Sequence, residues 1–205
     1  VEHFQKFLKR LRNSQPLKTI RFFHCGEYGD QGGRPHYHAC IFNHDFTDKE
    51  HYKTVGDYPL YHSKELSRLW PYGFCTIGTL TFETAAYTAR YITKKITGPE
   101  AEQHYNGRKP EYITMSRRPG IAKQWLNQYK SDVYPNDYVI VNGKKCGAPK
   151  FYDQQLSDDE LLKIKSKRKY KAMEHTENNT LRRLVDRETV QLSRSTQLKR
   201  SYEND

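Results

Sequence analysis

Apolar positions in residues 3–12 recur with the period of an α-helix. Phe4, Phe7, Leu8 and Leu11 share one face, and Lys6, Lys9, Arg10 and Arg12 fill the remaining positions. Asn13-Ser14-Gln15-Pro16 stops this helix. Residues 19–28 are rich in β-branched and aromatic side chains and predict a strand. Gly29-Asp30-Gln31-Gly32-Gly33 then turns the chain into a second strand over 36–43, and so short a Gly-rich connection predicts an antiparallel hairpin. Residues 43–57 are polar and read as a loop. Residues 62–70 predict a short helix with Ser63 as N-cap and Leu66, Leu69 and Trp70 inward.

A strand over 74–80, interrupted by Gly78, precedes a helix over 82–96. A strand over 111–115 leads to Ser116-Arg117-Arg118-Pro119-Gly120, an arginine pair held in a turn. Residues 123–129 predict a short helix with Trp125 and Leu126 inward. Tyr138–Val141 followed by Asn142-Gly143 predicts a hairpin closing near Lys144. From about residue 151 the character changes. Ser157 and Glu160 form a capping box that opens a lysine-rich helix, and 174–205 reads as a charged helical or partly disordered tail. The expected fold is α+β: one antiparallel sheet of four or five strands with helices packed mainly on one face. The expected division is a domain over 1–150 and a basic tail over 151–205.

Composition narrows the function. The 205 residues carry a formal net charge of +11, with 35 Lys and Arg and 16 Tyr. Positive charge attracts phosphates and aromatic faces stack on unpaired bases, which favours nucleic acid over a merely solvated basic surface. The four cysteines form no C-x-x-C pair and are too few for a disulfide framework, so they are expected to be reduced. No apolar run reaches the roughly 18 residues of a membrane span. No secretory signal opens the chain, and an intracellular, cytoplasmic setting is expected.

Two groups of residues carry candidate chemistry. His36 and His38 are two apart on a strand, so their imidazoles point the same way and form half a site for a divalent metal. The hairpin brings Glu27 to the same end, completing a carboxylate and two imidazoles suited to Mg or Mn, and able to take Co, Ni or Zn. On the following helix Tyr87 and Tyr91 are four apart, with Lys94 and Lys95 on the same side. Ammonium groups beside phenols favour phenolate and can bind a phosphate. Taken singly, the histidines also read as solvent-facing strand residues and the tyrosines as rim residues of a core.

Together, Arg34-Pro35-His36-Tyr37-His38, the preceding Glu27 and Tyr87-Thr88-Ala89-Arg90-Tyr91-Ile92-Thr93-Lys94-Lys95 resemble the HUH endonucleases, the rolling-circle replication initiators. The two tyrosines resemble the branch from small single-stranded DNA phages. Cys25-Gly26-Glu27-Tyr28-Gly29 and Met115-Ser116-Arg117-Arg118-Pro119-Gly120-Ile121 look most like the microvirus (gokushovirus-type) members. The resemblance covers roughly residues 1–125. It implies a ferredoxin- or RRM-like sheet and a metal held by Glu27, His36 and His38. Tyr91, Tyr87 and Lys94 would be catalytic, and Arg34, Lys95, Arg117 and Arg118 would contact DNA. It also implies metal-dependent nicking of an origin through a 5′-phosphotyrosine, with host polymerase and helicase as partners. Family members begin with a strand ahead of the first helix. This sequence opens at the helix, so the domain is expected to lack that strand. Two other readings are a non-catalytic single-strand binder, and a zinc-stabilised domain using His24, Cys25, His36, His38 or Cys40.

Overall fold

The computed structural model describes residues 1–29 and 32–197. Asp30 and Gln31 of the expected turn, and residues 198–205 of the expected tail, lie outside the described residues. The chain divides into two compact units, residues 1–121 and a second beginning at Ala122. The expected boundary near residue 150 falls inside the second unit.

The first unit opens with α1 (Glu2–Ser14), which buries Phe4, Phe7, Leu8 and Leu11 as its spacing requires. Each such side chain contributes roughly 1.5–3 kcal/mol before entropy is counted. Leu11 is fully buried, and Leu11→Ala is expected to cost about 2–5 kcal/mol. β1 (Arg21–Tyr28) and β2 (Pro35–Phe42) pair antiparallel, with Cys25 opposite His38 and Glu27 opposite His36. β3 (Glu50–Val55), β4 (Tyr58–His62), α2 (Lys64–Leu69), β5 (Ile77–Gly78), α3 (Phe82–Arg90), α4 (Ala101–Tyr105) and β6 (Tyr112–Met115) follow. Ser63 caps α2 by accepting the Leu66 N–H.

The strands form two three-stranded sheets rather than one of four or five. The first is ordered β2-β1-β6 and the second β3-β4-β5. The expected loop over 43–57 is instead half of the second sheet. Gly56, at φ 59°, makes the first corner of a two-residue turn that folds β4 back on β3. The expected strand over 74–80 pairs only at Ile77–Gly78, against β4.

Directly opposed residues of an antiparallel pair share a face, so the first sheet has two distinct sides. Phe22, His24 and Ile41 lie on one, where Phe4 of α1 packs on Phe22 and His24. Cys25, Glu27, His36 and His38 lie on the other, and Tyr87 and Tyr91 pack against Cys25 there. Helical elements therefore cover both faces, not mainly one.

The second unit holds α5 (Lys123–Val133), the hairpin β7 (Tyr138–Val141) and β8 (Lys144–Gly147), α6 (Lys150–Asp153), α7 (Asp158–Met173) and α8 (Leu181–Thr196). Leu126, Val133, Tyr134, Tyr152 and Ile164 form its core. Trp125, expected inward, is 43% exposed and stacks at the rim on Tyr129 and Tyr152. Among the described residues no helix is long and apolar enough to cross a membrane.

Candidate active site

The outer end of the β1–β2 hairpin sets the site. Because Glu27 stands opposite His36 and Cys25 opposite His38, the carboxylate projects between the two imidazoles. Glu27 Oε1 lies 3.3 Å from His36 Nδ1 and 3.4 Å from His38 Nε2. Its other oxygen, Oε2, accepts a 2.8 Å hydrogen bond from the Lys94 ammonium. The Glu27 side chain is only 2% exposed. Burial alone pushes its carboxyl upward. The His38 and Lys94 hydrogen bonds, with the charge on Lys94, overcome that and hold it at about 2.

Lys94 comes from a 3-10 turn, Tyr91–Lys94, that continues α3. The expected helix over 82–96 thus ends at Arg90 and tightens, delivering Lys94 to the strand face. Thr81 and Thr84 cap the start of α3 reciprocally, although Thr replaces the more usual Glu at the third position. Tyr87 and Tyr91 are buried, and their hydroxyls are hydrogen-bonded to each other. The Tyr91 ring stacks on His38 at 4.1 Å, and the Tyr87 ring meets His38 edge-on at 6.0 Å. Lys94 Nζ sits 5.2 Å from the Tyr91 ring centre. Two hydrogen bonds fix the exit of the turn: the Ile96 N–H donates to Tyr105 Oη (2.8 Å), which donates to the buried Glu111 (2.5 Å).

The structure therefore brings together six of the residues singled out in the sequence: Glu27, His36, His38, Tyr87, Tyr91 and Lys94. Arg34, Lys95, Arg117 and Arg118 are exposed and make no hydrogen bond or ion pair to this cluster. Arg117 and Arg118 sit in a turn closed by an Arg117–Gly120 bridge and anchored where Phe22 N–H donates to Ser116 Oγ. His24 lies on the opposite face of β1, so it cannot join Cys25, His36, His38 and Cys40 in one zinc site.

Two neighbours escaped the sequence reading. Cys25 stands opposite His38 on the site face, and burial pushes its thiol up to about 12, leaving it a neutral packing group. Gly29 lies against His36, where a Cβ would stand 2.6 Å from Cε1. Extending the hairpin register would have found Cys25. Nothing local marks Gly29 apart from other turn glycines.

The donors suit a divalent ion by chemistry: two imidazoles and an ionised carboxylate. Two ligands bonded to one ion at about 2.1 Å stand roughly 3.0–3.4 Å apart, the spacing of these nitrogens from Oε1. Neutral imidazole offers a lone pair at whichever nitrogen lacks the proton, so the same nitrogens can face Glu27 or a metal. The cluster is not closed around a common point. Among the described residues no group of three His, Cys, Asp or Glu side chains forms a ready metal cage. Lys94, on the second oxygen of Glu27, is the cation the carboxylate holds here.

Residues 1–96 match the family model described as replication-associated protein ORF2/gene II protein. The chain is 36% identical over 167 residues to replication-associated protein ORF2 of Spiroplasma virus 4, covering 76% of this chain and 50% of that protein. It is 31% identical over 183 residues to replication-associated protein VP4 of Bdellovibrio phage phiMH2K, covering 80% and 57%. Replication-associated protein ORF4 of Chlamydia phage 1 is 28% identical over 162 residues, covering 76% and 40%. The chain spans about half the length of the curated relatives it matches. No solved structure matches it.

Proposed function

We propose that this chain, whose residues 1–96 belong to the replication-associated protein ORF2/gene II protein family, nicks and rejoins single-stranded DNA at a replication origin by transesterification. It would thereby start and end rolling-circle replication of a small phage. One observation carries the reading: Glu27, His36, His38, Lys94 and two hydrogen-bonded tyrosines meet on one face of one sheet.

In the first step Tyr91 Oη attacks the scissile phosphorus and the bond from phosphorus to the 3′ oxygen breaks. The phenol loses its proton, the departing oxygen gains one, and no water is consumed. The 5′ phosphate is left esterified to Tyr91, and a 3′-hydroxyl is released for a host polymerase. Stacking on His38 holds the Tyr91 ring, and Lys94 beside it favours the phenolate and offsets phosphate charge. Glu27, His36 and His38 would hold a divalent ion, Mg or Mn, which when bound supplies Lewis-acid polarisation of the phosphate. Glu27 keeps its charge at neutral pH, as a ligand must. The phosphotyrosine conserves the bond energy, so the step reverses. Tyr87, one helical turn away, supplies the second phenol that cutting the regenerated origin requires.

The test is covalent capture. With Mn and single-stranded origin DNA, the protein is expected to form an adduct that survives denaturing electrophoresis. Replacing both Tyr87 and Tyr91 by Phe should remove the adduct while DNA binding persists. Adduct retained in the double variant would overturn the assignment. Binding without any adduct in the parent would favour a single-strand binder.

A further inference from the structure

Helix α7 of the second unit carries a charge pattern that its fold does not require. After the acids Asp158, Asp159 and Glu160 at its start, residues 163–171 contain Lys163, Lys165, Lys167, Arg168, Lys169 and Lys171, with no acid among them. One of these six is structural. The Arg168 guanidinium donates to Asp137 at 2.6 and 2.7 Å and to Asp153 at 2.7 and 2.9 Å. It lies toward the side of α7 that buries Ile164. The others point away. Lys163, Lys169 and Lys171 are exposed and make no hydrogen bond or ion pair among the described residues, and exposed Lys167 donates only to the Pro135 carbonyl at 3.0 Å.

Lys163, Lys167, Tyr170 and Lys171 stand at i, i+4, i+7 and i+8, the spacing of a single helix face. In a packed helix that face is apolar. Here it holds three lysines and a tyrosine that is 73% exposed. Lysines at i and i+4 repel each other, so the row opposes helix formation. Only the last turn recovers part of this from the helix dipole. A row of cations with an exposed aromatic ring among them fits a polyanion with stackable rings.

We infer that this face of α7 is a second, sequence-independent nucleic-acid site, which takes the phosphate backbone of DNA while the first unit acts on the origin. The inference rests on the reading of the chain as a DNA-processing protein. Its ligand is the phosphodiester backbone, single- or double-stranded. Tyr170 adds affinity for unpaired bases.

The experiment measures binding of the full chain to DNA without an origin, in single- and double-stranded arms, over a range of salt. The variants are Lys163→Gln with Lys167→Gln and Lys171→Gln, the same three positions changed to Arg, and Tyr170→Ala. The triple Gln variant is expected to bind at least tenfold more weakly. It should also lower the salt slope by about 2 on single strands and somewhat more on duplex, at roughly 0.7–0.9 per lost contact. The triple Arg variant should match the parent. Tyr170→Ala should weaken the single-stranded arm alone. An unchanged slope in the triple Gln variant, or a loss that the Arg variant shares, would overturn the proposal, as would tight binding to anionic vesicles without binding to DNA. Circular dichroism checks that α7 persists. Adduct formation at saturating origin DNA should be unchanged in the triple Gln variant, so failure here is separable from failure of the nicking reading.

Discussion

His24 and His38 stand within a few residues of each other across the β1–β2 ladder, yet their surroundings differ completely. His24 faces α1, is fully buried and lies flat on Phe4 at 3.6 Å. Its Nδ1 pairs with Thr114, its Nε2 has no partner, and burial drives its pKa down to about 3. It is held neutral as part of a core. His38, on the other face, contacts a carboxylate held ionised at about 2 and the ring of Tyr91. One strand thus separates two environments by the alternation of its side chains. Chemistry is assembled only where charges meet partners.

The strongest way to break this contrast is to discharge the site face. Glu27→Gln removes the charge that holds Lys94 and both imidazoles, and adduct formation is expected to fall by about 10²-fold or more. Single-turnover rates with saturating DNA check this, and a loss under threefold would contradict it. Next comes Gly29→Ala. Its Cβ would push the His36 ring aside, so Mn affinity measured by calorimetry should drop by about tenfold. Thermal stability should change little, because the site lies at the end of the hairpin. A variant with parental Mn binding would show that His36 is not a ligand.

On the core face the effect on chemistry should be the smallest. His24→Leu is expected to leave adduct formation within about twofold. It should change stability against pH instead. In the unfolded chain His24 protonates near pH 6.5, and in the fold only near 3. Its contribution is therefore complete above pH 6.5 and is lost as pH falls, by about 1.4 kcal/mol per pH unit. Glu27, depressed from 4.5 to about 2, loses its contribution only below pH 4.5. Between pH 6.5 and 4.5 the difference between parental and His24→Leu denaturation curves reports His24. Parallel curves in that window would contradict its buried, neutral state.

Much of this contrast could be read before any coordinates. Period-2 alternation and a short Gly-rich turn were enough to place Glu27 beside His36 and His38, because hairpin register is local. The apolar spacing of α1 likewise identified Phe4, Phe7, Leu8 and Leu11. The contact of Lys94 with Glu27 spans 67 residues, and the stacking of Tyr91 on His38 depends on a 3-10 turn that no local pattern distinguishes from helix. The β3–β4 hairpin was hidden by Pro59 and by interspersed charges, which read as loop until their pairing is seen. The exposure of Trp125 reflects where Tyr129 and Tyr152 stand, which its own helix does not specify.

The central claim is that the tyrosine held between His38 and Lys94 becomes covalently attached to DNA. Peptide mass mapping of the trapped adduct tests it most directly. The account predicts a nucleotide on Tyr91 in the parent, moving to Tyr87 when Tyr91 is replaced by Phe. Attachment to an exposed tyrosine away from this face, such as Tyr52 or Tyr170, would contradict it.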